Sequence, residues 1–324
     1  MMNVTIKDIA KQANVSYSTV SKALNDSPLV KEITKQKILR TAEQMGYKPN
    51  LAAKQLVRKK TDVVGLIWPT IERIVLATLV TNISQAFAAT RYSMILSVDP
   101  LEVAKETFKK FQVDGMILFA ESEHTIPEDD IPLVAYGVEK KNSVSYPVID
   151  ANHEQAMQEA VHYLYQLGHR DIAYIGHVKT SDTLQLEKTA GYRKAMTSMQ
   201  LQPTCIDTQG LDWVNGYTAV NRFEKWKKPP TAIIGGSYDI SGGILRALQE
   251  KDMQVPEKVS LISYDNIPQM ETMEVPMTCI GVPVDVLAEE IVEAIIQRIE
   301  SDQPIKTPVL HPELVERNST AAVR

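Results

Sequence analysis

The stretch VTIKDIAKQANVSYSTVSKALN, residues 4–25, decides how the N-terminal part of this chain folds. Thr5 precedes Asp8 by three positions, the spacing of a capping box that opens a helix. Ile6, Ile9, Ala10 and Ala13 follow at helical spacing and define one apolar face. Asn14 and Val15 make a turn, and Ser16 caps a second helix from Tyr17 to about Asn25. Its apolar face is Val20, Ala23 and Leu24, so Tyr17, Ser18, Ser21 and Lys22 point outward near its start. Two short helices joined by a tight turn form a helix-turn-helix unit, whose second helix enters a DNA major groove N-terminus first.

The next stretch predicts a third helix from about Glu32 to Met45, with Ile38, Leu39, Ala42 and Met45 packing on the first two. Gly46 suits its C-terminal cap, and Pro49 prevents its continuation. After Pro49 comes a very short helical segment, capped by Asn50 and running from Leu51 to Val57, which cannot be stable alone in water. Leu56 there lies beside Arg58, Lys59 and Lys60, and admits two readings. It packs on the rest of the protein as part of a linker, or it inserts between base steps of a minor groove as an apolar wedge.

Charge divides the chain in the same place. Residues 1–60 carry twelve Lys and Arg against four acids, a net +8, and the remaining residues carry a net −13. A basic head on an acidic body points to a nucleic-acid partner for the head alone. In that reading Tyr17, Ser18, Ser21 and Lys22 face bases, Ser18 discriminating weakly because a hydroxyl both donates and accepts. Thr5, Ser16, Thr19 and Asn25 are placed as phosphate contacts, which position without specifying.

Residues 5–25 and the segment YKPNLAAKQL (47–56) resemble the LacI/GalR family of bacterial transcription regulators. The resemblance implies a hinge helix in the minor groove, with Asn50, Ala53, Lys54 and Leu56 as its contacts. Lys54 stands where Arg is common. It also implies a homodimer on a palindromic double-stranded operator, since paired hinge helices fold only when two subunits meet there. Domains are expected at 1–49 (helix-turn-helix), 50–61 (hinge and linker) and 62–324 (ligand binding and dimerisation).

From Asp62 the pattern changes. β-rich runs at 63–68, 93–98, 116–119, 132–136, 172–176, 232–236 and 259–264 alternate with amphipathic helices near 75–90, 101–112, 153–167, 184–199, 216–227, 241–251 and 284–301. Such alternation predicts parallel sheets covered by helices on both faces. Seven runs over this length suit two sheets better than one. The fold class expected is therefore a small all-α head plus an α/β body of two lobes with parallel sheets, with a small-molecule cleft at the strand ends.

The resemblance continues through LGHRDIAYIG (167–176), AGYRKAM (190–196), PTAIIGGS (230–237), VPEKVSLISYDNIP (255–268) and LVERNST (314–320). It implies a body like periplasmic sugar-binding proteins, with lobe 1 at about 62–150 and 283–310 and lobe 2 at about 151–281 plus the tail. Asp265 matches the acidic ligand-binding residue. Lys188 stands where Arg is usual, Asn152 falls at the Asp of a paired Asp-Asn, and Ser237 replaces an Asn. PTIERIVL (69–76) loses two aromatics and brings Arg73 near the cleft. Lys188 and Arg73 together favour an anionic effector such as a sugar acid; the alternative has Arg73 in solvent and Lys188 paired with an acid such as Glu187.

No phosphate-loop, nucleophile-elbow or zincin motif occurs, and Cys205 and Cys279 have no metal-ligand spacing. No catalytic residue, metal or cofactor is expected, and the six histidines are scattered. The absence of an apolar signal core or long apolar run leads to the expectation of a cytoplasmic protein without a membrane partner. Two rivals stand beside the effector-controlled repressor of carbohydrate-related genes: a sugar-phosphate-binding enzyme with an accessory DNA-binding head, and a purely architectural DNA binder. GlyGly at 235–236 and 242–243 is the nearest approach to a nucleotide loop.

Overall fold

The structure, a computed structural model, describes residues 4–24, 27–47, 60–120, 131–137, 146–222, 229–301 and 305–323. Asn25 and the hinge residues Asn50, Ala53, Lys54 and Leu56 lie outside the described residues. The chain divides into two compact units, Met1–Thr61 and Asp62–Arg324.

The described residues of the first unit form three helices, α1 (Ile6–Ala13), α2 (Tyr17–Leu24) and α3 (Glu32–Gln44). The Thr5 N–H and hydroxyl both donate to the Asp8 carboxylate, at 2.9 and 2.7 Å. Those two bonds hold the Asp8 carboxyl below its usual range. Asn14 takes a left-handed conformation (φ 55°), which short polar side chains tolerate, and so turns the chain between α1 and α2. Ile9, Ala13, Val20, Ala23 and Ile38 form a core that excludes water almost completely. Leu39 was expected in this core but is 38% exposed. Ile38 and Ala42 already fill the face that α3 turns to α1 and α2, and Leu39 falls beside that stripe.

The second unit has two sheets. The first contains β1 (Val63–Ile67), β2 (Ser93–Ser97), β3 (Gly115–Phe119), β4 (Leu133–Tyr136) and β5 (Val148–Ile149), all parallel, in the order β2-β1-β3-β4-β5. Helices α4 (Ile74–Ala88) and α5 (Leu101–Phe111) cover it. The second sheet contains β6 (Ile172–Gly176), β7 (Thr204–Asp207), β8 (Ala232–Gly235), β9 (Ser260–Asn266), β10 (Thr278–Pro283) and β11 (Glu313–Val315), in the order β11-β10-β9-β8-β6-β7. Among the described strands only β11 runs antiparallel, against β10. Its helices are α6 (His153–Gln166), α7 (Thr183–Ser198), α8 (Trp213–Asn221) and α9 (Tyr238–Glu250).

The chain passes between the lobes three times. It leaves the first sheet after β5, returns after β10 through α10 (Val284–Glu300), and goes back to pair β11 with β10. Helix α10 packs on α4, β3 and β4, so a late segment completes the early lobe. Strands β5, β7, β10 and β11 carry no clear signal in the sequence; they run from two to six residues. Helix α8 begins at Trp213, three residues before the expected 216, and the end expected at 227 lies outside the described residues.

The glycine pair at 242–243 belongs to helix packing. A Cβ at Gly243 would overlap the Trp213 carbonyl oxygen, and one at Gly216 would overlap the Ile240 carbonyl, so α8 and α9 meet backbone to backbone. Gly243→Ala should therefore force the two helices apart and cost about 1–3 kcal/mol, the usual range for overpacking. Urea unfolding of the variant reads this directly; an unchanged midpoint would show that the helices separate freely.

Candidate nucleic-acid interface and ligand cleft

Helix α2 presents Tyr17 (54% exposed), Ser18 and Lys22 to solvent, while Ser21 and Thr19 are half-buried. Its N-terminus carries a cluster of hydroxyls. Ser16 Oγ accepts the Thr19 N–H at 3.1 Å and lies 2.8 Å from Ser18 Oγ and 2.7 Å from Thr19 Oγ1. A helix N-terminus with free N–H groups and hydroxyls is built for a phosphate oxygen. The Thr5 hydroxyl, one of the expected phosphate contacts, donates to Asp8 in the capping box. With Ser18 tied to Ser16, Tyr17 and Lys22 are the long side chains left to reach base edges.

The second site is a cleft between the two sheets of the body. Its lining comes from strand ends: Phe119 closes β3, Tyr136 closes β4, Asp265 and Asn266 close β9, and Val282 lies near the end of β10. Carboxyl ends of parallel strands are where open α/β sheets leave room for ligands, because the chain diverges there. The cavity holds about 60 Å³, lined on one side by Val75, Leu76, Leu79 and Leu287 and on the other by polar groups. That is far below the roughly 300–1,000 Å³ of a ligand-sized pocket.

The polar wall centres on Lys188, which is 4% exposed. Its Nζ donates to the Gly236 carbonyl at 3.0 Å and lies 3.7 Å from the centroid of the Tyr264 ring. Burial pushes this ammonium down to about 8, partly offset by Asp265 and Asp182 and reinforced by Arg73. The Tyr264 hydroxyl is hydrogen-bonded to His153 Nδ1. Burial, helped by Lys188, holds the His153 imidazole well below its usual range, so it is neutral. Asp265 has φ 85° and accepts the Tyr238 N–H at 2.9 Å.

Three of the five sequence-derived cleft residues, Arg73, Lys188 and Asp265, line this cavity; Asn152 and Ser237 do not. Ser237 is fully buried, and its hydroxyl accepts the Ile240 N–H to cap α9. Asn152, at φ 51°, donates from its side chain to Gln155, and its neighbours Ala151 and His153 face the cavity instead. Arg73 precedes α4 and is half-buried, not in solvent. The aromatics missing from 69–76 are supplied elsewhere: Trp68 meets Phe119 edge-on at 4.9 Å, and Phe119 meets Tyr136 at 5.3 Å. Gln185, 3% exposed, and His153 also line the cavity and carried no sequence signal of their own.

Among the described residues, two hydrogen bonds join α4 of the first lobe to the second lobe. Gln269 Nε2 donates to Thr78 Oγ1 at 3.1 Å, and the Asp239 carboxylate accepts the Ile74 N–H. Burial first, then Asp265, raises the Asp239 carboxyl to about 6, against a lowering by Arg73.

Residues 5–50 match the family described as bacterial regulatory proteins, lacI family, and residues 161–320 match the periplasmic binding protein-like domain. Catabolite control protein A of Priestia megaterium is 32% identical over 300 residues, covering 86% of this chain and 90% of the relative. This chain belongs to the lacI family of bacterial regulatory proteins. The HTH-type transcriptional repressor PurR of Actinobacillus pleuropneumoniae serotype 3 (strain JL03) is 31% identical over 333 residues, covering 97% of this chain and 98% of the relative. A solved structure titled as the lac repressor dimer bound to operator and the anti-inducer ONPF matches with a TM-score of 0.83. That pair is 22% identical, and the match covers 99% of this chain and 100% of the other. As a member of this family the chain is a DNA-binding transcriptional regulator whose body is a ligand-binding type of fold. Among the described residues no cluster of side chains could hold a metal ion, and no helix is long and apolar enough to cross a membrane.

Proposed function

We propose that this protein is a homodimeric, cytoplasmic repressor of carbohydrate-related genes. It binds a palindromic operator and is controlled by a small sugar-like effector in the body's cleft. One observation carries the reading: a helix-turn-helix head with Tyr17, Ser18 and Lys22 exposed on α2 shares a chain with a body whose strand ends enclose a polar cleft. Lys and Arg of the head supply salt-sensitive affinity by releasing counterions from DNA. Thr5, Ser16, Thr19 and Asn25 contact phosphates and set the register. The hinge residues Asn50, Ala53, Lys54 and Leu56 occupy the minor groove, where two copies of Leu56 kink the operator centre. The names of the relatives, among them a repressor, support this reading, as does the operator-bound dimer of the structural neighbour.

Effector binding between the lobes shifts their equilibrium, and the ligand biases DNA affinity only by its differential affinity for the two arrangements. The contacts Gln269–Thr78 and Asp239–Ile74 are the ones that such a shift must break or re-form.

Selection of duplexes from a random pool by the full chain tests the reading. A palindromic consensus is expected, and a pool that returns no consensus would refute sequence-specific repression. Lys22→Ala should relax the consensus at one position per half-site and cost roughly 1–3 kcal/mol there. An identical consensus from the variant would remove Lys22 from base reading.

A further inference from the structure

Four polar groups on the cavity wall have hydrogen-bonding capacity that the protein leaves unused. Arg73 Nε, His153 Nε2 and Gln185 Oε1 are buried without a partner. The Lys188 ammonium has several protons to donate and, among the described residues, one acceptor, the Gly236 carbonyl. His153, Gln185 and Lys188 are 2%, 3% and 4% exposed, so water reaches none of them freely. An unpaired buried polar atom loses its hydration with no return unless a ligand satisfies it.

Most of these groups are donors. Burial holds the Tyr264 hydroxyl well above its usual range, so it keeps its proton, and its partner is Nδ1 of the neutral His153 ring. If that proton goes to Nδ1, only the His153 Nε2–H is left unpaired; the other tautomer strands the tyrosine proton as well. His153 Nε2 is therefore a donor, beside Arg73 Nε and Lys188 Nζ. The two carboxylates of the wall are engaged elsewhere. Asp182 Oδ1 accepts the Leu184 and Gln185 N–H groups at the start of α7, at 2.9 and 3.4 Å, and Asp265 Oδ2 accepts the Tyr238 N–H at the start of α9. Each thus answers the positive end of a helix. Among the described residues neither Arg73 nor Lys188 forms an ion pair. Arg73 precedes α4 in the first lobe and Lys188 stands on α7 in the second. Burial chiefly lowers the Lys188 pKa, and the Arg73 charge lowers it further, so two like charges repel across the cleft.

We infer that Arg73 and Lys188 are a specificity-determining pair that clamps one anionic group of the ligand between the two lobes, with His153 Nε2 as a third donor. Gln185 Oε1 takes a hydroxyl beside that group, so the ligand is a hydroxylated acid, bearing a carboxylate or a phosphate. Its charge replaces the repulsion between Arg73 and Lys188 with two attractions, and so draws the lobes together. The inference rests on the reading of the cleft as the effector site.

Titration calorimetry of the full chain with matched pairs is the test: D-glucuronate against D-glucose for a carboxylate, and D-ribose 5-phosphate against D-ribose for a phosphate. The anion of at least one pair should bind at least tenfold tighter than its neutral partner, and the pair that shows the preference identifies the group. Arg73→Met should cost that anion at least tenfold, about 1.4 kcal/mol. Lys188→Met, on the opposite lobe, should do the same at pH 7 and serves if the first variant misfolds. A second readout separates the clamp from a structural role: wild-type affinity for the anion should fall as the pH rises from 8 to 10 and Lys188 loses its proton, and Lys188→Met should abolish that fall. Equal or tighter binding of both neutral sugars, no binding by either anion, or a folded Arg73→Met variant with unchanged anion affinity would each overturn the inference. Failure of the full chain to select an operator would instead remove the repressor reading and leave these binding outcomes standing.

Discussion

A fragment consisting of Asp62–Arg324 is expected to lose the selected operator by more than about 10³-fold while keeping its ligand response. The magnitude is the lower end of the ratio between specific and non-specific binding for DNA regulators. The physical basis is the separation of charge and of fold. The head is a compact unit with its own core of Ile9, Ala13, Val20, Ala23 and Ile38, and it carries a net +8 over residues 1–60. The rest carries a net −13, which repels a duplex at any ionic strength where charges are felt. The body has apolar clusters of its own, among them Ile83, Phe87 and Ile291 in one and Met157, Tyr174 and Tyr192 in another. Fluorescence anisotropy on the selected operator at two salt concentrations reads the loss. The full chain should show a steep salt dependence, from release of several counterions, and the fragment a shallow one. Retention of specific binding by the fragment would place the DNA site in the body, against everything α2 presents.

The head was legible in sequence because each of its devices is local. A capping box, a turn at Asn14 and Val15 and an apolar stripe are each readable from near neighbours in the sequence, and the structure keeps all three. The body's strands were legible where they are apolar runs such as IAYIG and AIIG. They were missed where pairing, not composition, makes the strand. Thr204–Asp207 is an edge strand on β6, and Glu313–Val315 exists only by pairing with β10. β10 itself, TCIGVP, reads poorly because Gly281 and Pro283 interrupt it, although it is buried between β9 and β11. The cleft was half legible. Asp265 and Lys188 were found through family motifs, but His153 and Gln185 belong to no spacing rule: only the third dimension brings the starts of α6 and α7 to the same wall. Ser237 was misplaced because a polar residue after a strand serves equally as a helix cap, and here capping takes its hydroxyl.

Replacing Lys188 by Met is expected to change how stability depends on pH, by up to about 3 kcal/mol between pH 8 and 10. Burial lowers the Lys188 ammonium from 10.5 to about 8 in the folded protein. A tenfold change in a proton's affinity between the folded and unfolded chain corresponds to about 1.4 kcal/mol of stability. Between those two values the unfolded chain binds more protons than the folded one, so wild-type stability rises with pH across the window. Below pH 8 both states are charged and the full penalty of the buried ammonium is present. A methionine has no proton to bind, so the variant lacks this rise. Subtracting one unfolding profile from the other removes the buried tyrosines Tyr136, Tyr174, Tyr192 and Tyr264, whose raised values act in both proteins at higher pH. A constant difference from pH 7 to 10 would put the amine at its ordinary value and contradict its burial. The penalty has a use. A ligand that brings an acceptor to Nζ in place of the Gly236 carbonyl, or beside it, stabilises the charged form and raises its pKa. Binding near pH 8.5 should then take up a proton, which calorimetry in buffers of different ionisation enthalpy measures. An arginine, as the family usually has here, stays charged throughout and could not do this. The amine thus makes ligand affinity depend on pH, and the instability it imposes on the closed cleft favours the ligand that relieves it.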